Sequence, residues 1–462
     1  MKLPHNLKGL FEILLVLGML LLTLLFFVTR SQSPEMQPTA TILWPTSTPL
    51  GARSNAVVSP TTAPVIVNGK EPPACAFPLA QTTTVESKPE EYTFSEPKVV
   101  LDAHSNLYDI VEWLPDNQQV LITQDLQNSI GGESDKFLRQ SIELYDPQTG
   151  QSKVYAIRHH TDEPPSWQPD SNTVVYPDMN ILGIDSKTHQ LKFTRQVWVS
   201  HGDPKAAQML ADNLPQLPLA VKLGGSETVY LSAKQLSRLD GSLKAIPSVP
   251  FDPTQWDYAK GRRSEIPPSY KMAWQPGTAL IFLYADGVFR FDGYTFILNT
   301  DTGQVCELNL GGWATKAHWS SNGRYLAIIR THDHFPISSS DLAVLDTATG
   351  NVTTTGVTSS KLEGKHFVDD MVWAPDNRHL SAVGRFLPFQ YTNQSDKNVE
   401  SRLYLVDSSS GQSDDILPTY TFYADSLKSS LAWSPDSSKL LIRCPTMIDE
   451  RICFILVQKT GK

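Results

Sequence analysis

A turn sequence that recurs along most of the chain constrains its fold more than any other feature. Proline presets φ at the first corner of a tight turn, and Asp, Asn or Gly accept the later corners. Repetition at about 45–60 residues, with short strands in each unit, predicts an all-β fold, the β-propeller. The copies begin at Trp113, Trp167, Trp274, Trp319, Trp373 and Trp433, and four of them keep the aspartate, at Asp116, Asp170, Asp376 and Asp436.

A second turn follows each copy of the first. An apolar strand runs into a hairpin that ends on glycine, as in Leu144-Tyr-Asp-Pro-Gln-Thr-Gly150. The same pattern ends at Gly303, Gly350 and Gly411. Each unit therefore contains two hairpins, which supply the four strands of one blade.

The blade count depends on one long interval. Trp167 and Trp274 are 107 residues apart, about twice the usual spacing. Residues 221–232 and 235–246 have the strands and glycine turn of a blade that has lost its tryptophan. This predicts a seven-bladed propeller, with six blades as the alternative if the weak unit is an insertion. The last unit stops inside its second hairpin, so a strand near residues 97–101 is predicted to complete it and close the ring.

These two turns resemble the TolB-like, WD-type propeller repeats of bacterial envelope proteins. The resemblance covers roughly residues 95–462 and is carried by the Trp-x-Pro-Asp turn and the Asp-x-x-Thr-Gly hairpin. It implies a propeller in the cell envelope. The α/β domain that precedes the propeller in TolB has no counterpart here, so the resemblance does not extend to TolB's own role.

The N-terminus predicts a membrane anchor. Residues 10–28 are apolar apart from Glu12, and nineteen residues suffice to cross a bilayer as a helix. No small-x-small cleavage site follows, which favours an uncleaved signal anchor over residues 1–30 rather than a cleaved signal peptide. Lys2 and Lys8 would keep the N-terminus in the cytoplasm. The protein is then expected in the cell membrane, as a single-pass protein with its propeller on the extracytoplasmic side.

Residues 31–73 are rich in Pro, Thr and Ser and lack a sustained apolar period. They predict a disordered stalk, which leaves residues 74–462 for the propeller. The formal net charge of −9 and the absence of long basic runs exclude nucleic acid as an expected partner.

The four cysteines are expected outside the cell, where disulfides persist. Cys444 and Cys453 end and begin consecutive strands, which predicts a cross-strand disulfide; two buried free thiols are the alternative. Cys75 and Cys306 would then be left to pair.

Binding residues are expected on the face opposite the two tight turns. The remaining connections, which include Pro177 to Arg195, are longer, and rigid scaffolds commonly carry binding residues on such loops. Aromatic residues and arginine, the types enriched in interface hot spots, are frequent there, although some of them will fold back over the blades. The candidates are Trp256, Tyr258, Arg262, Arg263, Phe389, Tyr391, Phe422 and Tyr423, with Phe251 and Phe386 nearby.

One pattern suggests a metal. His332 and His334 would lie on one side of an extended segment, and His318 or His366 could supply a third ligand. Ordinary surface histidines are the simpler interpretation, which also applies to Arg158-His159-His160. We therefore predict no cofactor.

The sequence contains no nucleophile elbow, His-Glu-x-x-His motif or phosphate loop. The function it favours is a non-catalytic scaffold that binds an envelope protein or a glycan. A metal-dependent polysaccharide lyase-like propeller enzyme and an envelope sensor ectodomain remain as alternatives.

Overall fold

The structure, a computed structural model, describes part of the chain. The described residues are 91–101, 108–126, 139–159, 161, 163–169, 171–184, 191–214, 219–221, 227–232, 235–240, 242, 244–251, 269–286, 295–308, 310, 313–331, 339–358, 364–388, 400–417, 431–443 and 452–460. All of them belong to the second of two units, Trp44–Lys462. The predicted anchor and stalk lie outside them. Among the described residues, no helix combines the length and apolar composition needed to cross a bilayer.

The described strands assemble into seven antiparallel sheets, and each sheet is one blade. The chain begins with β1 (Glu91–Phe94) and β2 (Lys98–Leu101), which belong to blade 7. Blade 1 contains β3 (Tyr108–Trp113), β4 (Val120–Leu126), β5 (Arg139–Tyr145) and β6 (Ser152–His159). Blade 2 contains β7 (Ser166–Gln168), β8 (Thr173–Ile184), β9 (Leu191–Ser200) and β10 (Gln208–Leu214). Blade 3 contains β11 (Leu219–Val221), β12 (Thr228–Ser232), β13 (Gln235–Leu239) and β14 (Ala245–Pro250).

Four blades follow in the same order. Blade 4 contains β15 (Ser269–Trp274), β16 (Leu280–Asp286), β17 (Thr295–Asn299) and β18 (Val305–Glu307). Blade 5 contains β19 (Trp313–Trp319), β20 (Tyr325–Thr331), β21 (Ser340–Asp346) and β22 (Val352–Thr354). Blade 6 contains β23 (Gly364–Trp373), β24 (His379–Pro388), β25 (Glu400–Asp407) and β26 (Ser413–Asp415). Blade 7 contains β27 (Leu431–Trp433), β28 (Lys439–Arg443) and β29 (Ile452–Thr460), and short 3-10 helices lie at Pro204–Ala206 and Gly356–Thr358.

The seven-bladed prediction is confirmed, and the six-bladed alternative is wrong. Blade 3 occupies the long interval between Trp167 and Trp274, and its four strands pair as an ordinary meander. It lacks the tryptophan but keeps the alternation of buried residues, with Val229 and Leu236 fully buried. The apolar pattern therefore suffices to form a blade without the tryptophan turn.

Two pieces of the N-terminal segment close the ring. Strand β1 pairs with the end of β29, Glu91 opposite Thr460, and β2 pairs with its beginning, Lys98 opposite Phe454. Between the two pieces, the Ser95 N–H donates to the Leu456 carbonyl at 2.9 Å. The outer strand of blade 7 thus comes from the region where the sequence predicts a closing strand.

The core lies between blades rather than at one centre. Seven apolar clusters are formed by the described residues, one for each pair of successive blades. The cluster of Ile110, Trp113, Ala432 and Leu441 joins blade 7 to blade 1. Because every blade is packed on both faces, the arrangement is a closed ring.

The tryptophans also link neighbouring blades by hydrogen bonds. The Trp113 indole N–H donates to the Ala432 carbonyl at 3.0 Å, and the Trp373 N–H donates to the His318 carbonyl at 2.8 Å. Trp319 makes the same bond to Ala273 at 3.0 Å. In each case the acceptor is the residue directly before the tryptophan position of the preceding blade. In these three blades the repeated tryptophan is therefore an inter-blade connector, whereas the Trp274 N–H donates to the Thr278 carbonyl of its own turn.

Two expectations about the long connections need correction. Much of the segment from Pro177 to Arg195 is regular hairpin, because β8 extends to Ile184 and β9 begins at Leu191. Phe251 is 2% exposed and packs edge-on against Tyr270 and Phe296, so it covers the blade instead of offering a contact surface.

Candidate functional site in the central channel

The first strands of the blades surround the axis of the ring. Each contacts the first strand of the next blade: β7 with β11, then β15, β19, β23, β27 and finally β3. The ring is completed between β3 and β7, where a Glu112 carboxylate oxygen accepts the Trp167 backbone N–H at 2.9 Å. The first strands therefore form the inner wall of the ring.

The residues that directly precede the tryptophans form one layer of the first strands, and Ala432, for example, is 3% exposed and packs between blades 7 and 1. Most of them are small or apolar, and only two are ionisable. Because these positions are equivalent in their blades, their side chains lie at the same height along the axis. The layer contains Glu112, Ser166, Ala273, His318, Val372 and Ala432.

Glu112 provides a carboxylate in this layer. Burial raises its pKa to about 7, while the hydrogen bond from the Trp167 N–H acts in the opposite direction. Within the described chain, no Lys, Arg or His nitrogen lies within ion-pair distance of this carboxylate. A carboxylate in such surroundings is protonated in part of the molecules near neutral pH.

His318 provides the other ionisable group. His318 is exposed to solvent at the inner edge of blade 5. Desolvation, followed by the nearby Lys316 ammonium, lowers the His318 pKa to about 4, against the opposing effect of Asp370. The imidazole is therefore neutral at pH 7.

An ion pair lies next to this histidine. The Lys316 ammonium of β19 contacts the Asp370 carboxylate of β23, and Asp370 is 1% exposed. The pair joins the first strands of blades 5 and 6. The charges of Lys316 and Asp370 offset each other. Among Glu112, His318, Lys316 and Asp370, the Glu112 carboxylate is therefore the charge that is not balanced.

A second charged group lies between blades 1 and 2 and is structural. The Arg158 guanidinium is buried and donates to the Gln140 side chain and to the carbonyls of Glu163 and Pro177 at 2.9–3.1 Å. Burial lowers its pKa to about 10. Since these donors are satisfied by the protein, the Arg158-His159 pair is part of the scaffold.

Most binding residues predicted from the sequence lie outside the described residues, so the structure does not bring them together. The binding candidates outside the described residues are Trp256, Tyr258, Arg262, Arg263, Phe389, Tyr391, Phe422 and Tyr423. The metal candidates His332 and His334 and the repeat residue Asp170 also lie outside them. The two suggested third metal ligands occupy different ends of their strands: His318 precedes Trp319, whereas His366 lies near the start of β23, 5.0 Å from the Phe386 ring. Within the described ranges, no group of three or more His, Cys, Asp or Glu side chains could hold a metal ion.

The cysteine prediction is only partly visible. Cys306 and Cys453 are both disulfide-bonded. Cys444 and Cys75 lie outside the described residues, so the predicted Cys444–Cys453 and Cys75–Cys306 pairing stays a prediction.

The sequence reasoning missed Glu112, Lys316 and Asp370. A signal for Glu112 was present: an acidic residue precedes Trp113 at a position where other copies have Ser, Ala, Val or His. The Lys316–Asp370 pair had no such signal, because it depends on which blades are neighbours.

The comparisons with known proteins concern the fold. No family model and no curated protein sequence matches the chain. Among solved structures, the propeller domain of the Trilobed protease from Pyrococcus furiosus is 9% identical, with a TM-score of 0.44, covering 80% of this chain and 96% of that one. The RRP9 WD40 repeats are 10% identical, with a TM-score of 0.45, covering 80% and 100%. An oligogalacturonate lyase in complex with manganese is 10% identical, with a TM-score of 0.44, covering 80% and 98%. Likenesses this distant carry no argument about ligand or activity.

Proposed function

We propose that this protein is a membrane-anchored, extracytoplasmic propeller that acts as a non-catalytic scaffold, binding an envelope protein or a glycan. The TolB-like turns and the apolar residues 10–28 support the location. The distribution of exposed apolar side chains supports the binding role.

That distribution is one-sided. The large apolar side chains that the described chain exposes all lie on three consecutive blades, 7, 1 and 2. Apolar surface gathered on one side of a soluble domain marks an interaction site more often than scattered residues do. The residues are Val99 and Leu456 in blade 7, Val154 and Ile157 in blade 1, and Leu182, Phe193 and Met209 in blade 2.

The hairpin of β8 and β9 is the most prominent part of this surface. Residues 173–177 are buried in the blade, but residues 178–183 of β8 are half-buried or exposed. Leu182 is 62% exposed and Phe193 is 37% exposed, and the Arg195 guanidinium lies 5.5 Å from the Phe193 ring centre. This ribbon extends on the face of the long connections. An aromatic ring with an adjacent arginine is a frequent feature of protein interfaces, which favours a protein partner.

Affinity capture tests this function. The tagged full chain is used as bait in a native envelope extract, beside a Leu182→Ser, Phe193→Ser variant. Asn180→Ser is the control, because it changes an exposed polar residue of the same ribbon. We expect partners that the wild type and the control retain and the double variant loses.

Two further experiments extend the capture. One uses a bait that carries the substitutions Trp256→Ala, Arg262→Ala and Arg263→Ala, which tests the loop predicted from the sequence. Purified envelope polysaccharide replaces the extract in a parallel experiment, and binding that survives the ribbon substitutions would favour a glycan. Baits that all retain nothing would contradict the scaffold function.

A further inference from the structure

Two of the four cysteines lie in the described chain, and they are not bonded to each other. Cys306 and Cys453 are both disulfide-bonded, and each is 2% exposed. Cys306 lies in β18 and packs in the apolar cluster between blades 4 and 5, whereas Cys453 lies in β29 and packs between blades 6 and 7. A disulfide requires Cα atoms about 4.4–6.8 Å apart. Since blades 5 and 6 separate the two residues, each must have another partner.

Cys444 lies within reach of Cys453 but not of Cys306. It directly follows Arg443, which pairs in blade 7 with Ile452, the residue before Cys453. The Cα atoms of Arg443 and Cys444 are about 3.8 Å apart, as in any trans peptide. Packed sheets are about 10 Å apart, so blade 4, three steps away round the ring, lies at least roughly 20 Å from Arg443. This distance excludes a bond between Cys444 and Cys306.

We propose that Cys306 is bonded to Cys75, the one cysteine that remains for it. Cys453 then pairs with Cys444. The first bond fixes the N-terminal segment to β18, the outer strand of blade 4. The same segment supplies β1 of blade 7, which begins at Glu91. The chain between Cys75 and Glu91 can extend over roughly 50 Å, which is enough to connect the two blades. The pairing therefore attaches one segment to two separate blades.

Forming these bonds requires an oxidant, and its chemical class is a protein disulfide. Thiol–disulfide exchange takes two electrons from each cysteine pair: two S–H bonds break, one S–S bond forms, and the disulfide of the oxidant becomes two thiols. In the proposed pairing each cysteine is bonded to the next one along the chain. A chain oxidised as it emerges therefore reaches this pairing without rearrangement.

The attachment lies away from the exposed apolar side chains of blades 7, 1 and 2. Blade 3 separates blade 4 from blade 2, and blades 5 and 6 separate it from blade 7. The chain that precedes Cys75 therefore joins the ring outside that surface. Reduction of the bond moves the first attachment to Glu91 in blade 7, which carries the exposed Val99 and Leu456. This effect on the binding surface rests on the scaffold function proposed above, whereas the pairing itself does not.

Peptide mapping of the full chain tests the pairing. The protein is purified without reductant, its free thiols are blocked with N-ethylmaleimide, and it is then digested with trypsin. Cleavage after lysine and arginine places the four cysteines in four different peptides, residues 71–98, 291–316, 444–451 and 452–459. We expect 71–98 linked to 291–316, and 444–451 linked to 452–459. Any other link, or N-ethylmaleimide on Cys75, would overturn the proposal.

A cleavage assay gives a second readout. A recognition sequence for a specific protease is inserted after Thr84, between Cys75 and β1, and the cut protein is separated on a denaturing gel without reductant. We expect the N-terminal fragment to stay attached in the otherwise unchanged chain and to be released completely in Cys306→Ser. Cys444→Ser, Cys453→Ser is the matched control and should keep the fragment attached. Release from the unchanged chain, or retention in Cys306→Ser, would contradict the pairing.

The peptide map requires no variant, so it decides alone if Cys306→Ser does not fold. Both measurements are made without a binding partner. The Leu182→Ser, Phe193→Ser variant, which is designed to lose partners, should give the same peptide map as the wild type. Failure of the pairing and failure of the scaffold function are therefore distinguishable.

Discussion

A single backbone position decides how each tryptophan-led turn closes. In six blades one residue of this turn has a positive φ, between 53° and 72°, and in three of them it directly follows the aspartate. Asn and Gly tolerate this left-handed conformation better than other residues do, which explains why they recur there. The preceding aspartate stabilises the turn by accepting two backbone N–H groups; Asp116, for example, accepts those of Gln118 and Gln119. The residues with positive φ are Asn117, Asn172, Gly277, Gly323, Asn377 and Ser437.

Gly323 should tolerate a methyl group much less well than its counterpart Gly277. A Cβ atom at Gly323 would lie 2.7 Å from the Pro276 carbonyl oxygen, whereas one at Gly277 would meet nothing within 4 Å. Both replacements force alanine into a left-handed conformation, at about 1–2 kcal/mol. We expect Gly277→Ala to lower the free energy of unfolding by about that amount and Gly323→Ala by roughly twice as much, measured by urea denaturation. Equal losses of unfolding free energy in the two variants would show that the Pro276 backbone of blade 4 shifts to accommodate the added methyl group.

Glu112 should make stability depend on pH. Its pKa is about 7 in the folded protein, compared with 4.5 for an unperturbed glutamate. A folded pKa above the unfolded one gives stability that is complete below pH 4.5 and lost as the pH rises through 7. Glu112→Gln should remove this dependence and raise the free energy of unfolding at pH 8 by at most about 3 kcal/mol. Urea denaturation at pH 4.5, 6 and 8 measures how the free energy of unfolding changes with pH, with Glu96→Gln as the control. The same change with pH in Glu112→Gln as in the wild type would contradict its assignment to Glu112.

At the scale of strands and turns, the sequence predicts what depends on local chemistry. Proline, aspartate and glycine at fixed offsets identified the tight turns, and the strands and glycine turn of residues 221–246 identified blade 3 without its tryptophan. The extended β8–β9 ribbon was less predictable, because polar and apolar residues mix along Pro177–Arg195 and exposed hairpin does not alternate as packed strand does. The Lys316–Asp370 pair required knowledge of which first strands are neighbours. That is a tertiary property.

The tryptophan connector between blades should be measurable through Trp373. Phenylalanine fills most of the same space but leaves the His318 carbonyl without its indole donor. An unsatisfied group of this kind costs about 1–3 kcal/mol. We expect Trp373→Phe to lower the free energy of unfolding by that amount in chemical denaturation.

Trp198→Phe is the matched control for this measurement. The Trp198 indole N–H donates to the Gln196 side chain at 3.0 Å within β9, and that amide can turn to another partner. We expect Trp198→Phe to lower the free energy of unfolding by less than Trp373→Phe does. If Trp373→Phe and Trp198→Phe lower the free energy of unfolding equally, the hydrogen bond between blades stabilises the protein no more than the one within β9.

At the scale of the whole molecule, cooperativity depends on the closure in blade 7. Tyr92 and Phe94 of β1 lie 5.5 Å and 6.3 Å from the Trp433 ring, and the Tyr92 hydroxyl donates to Asp376 of blade 6 at 3.0 Å. The N-terminal strand thus contacts two blades at once. Closure of the ring removes the sheet edges that an open arc would expose.

Removing the two side chains should weaken the entire ring. For Tyr92→Ala, Phe94→Ala, we expect a loss of about 3–5 kcal/mol, the range for a large aromatic residue replaced by alanine in a core. Hydrogen exchange should show lower protection in β29 and also in distant blades such as blade 4. Val99→Ala, on the exposed side of β2, is the control. Faster exchange confined to blade 7 would show that the blades unfold independently.

The closure also determines how the propeller responds to mechanical load. Tension applied at Glu91 itself reaches the sheet through β1, whose first residue pairs with Thr460. Pulled away from the sheet, β1 would peel off pair by pair, and Ser95 and β2 would take the load only afterwards. Pulled along its length, the same strand would resist as a row of bonds strained together. The direction of a tether at residue 91 therefore sets whether the ring opens at a small force or a large one.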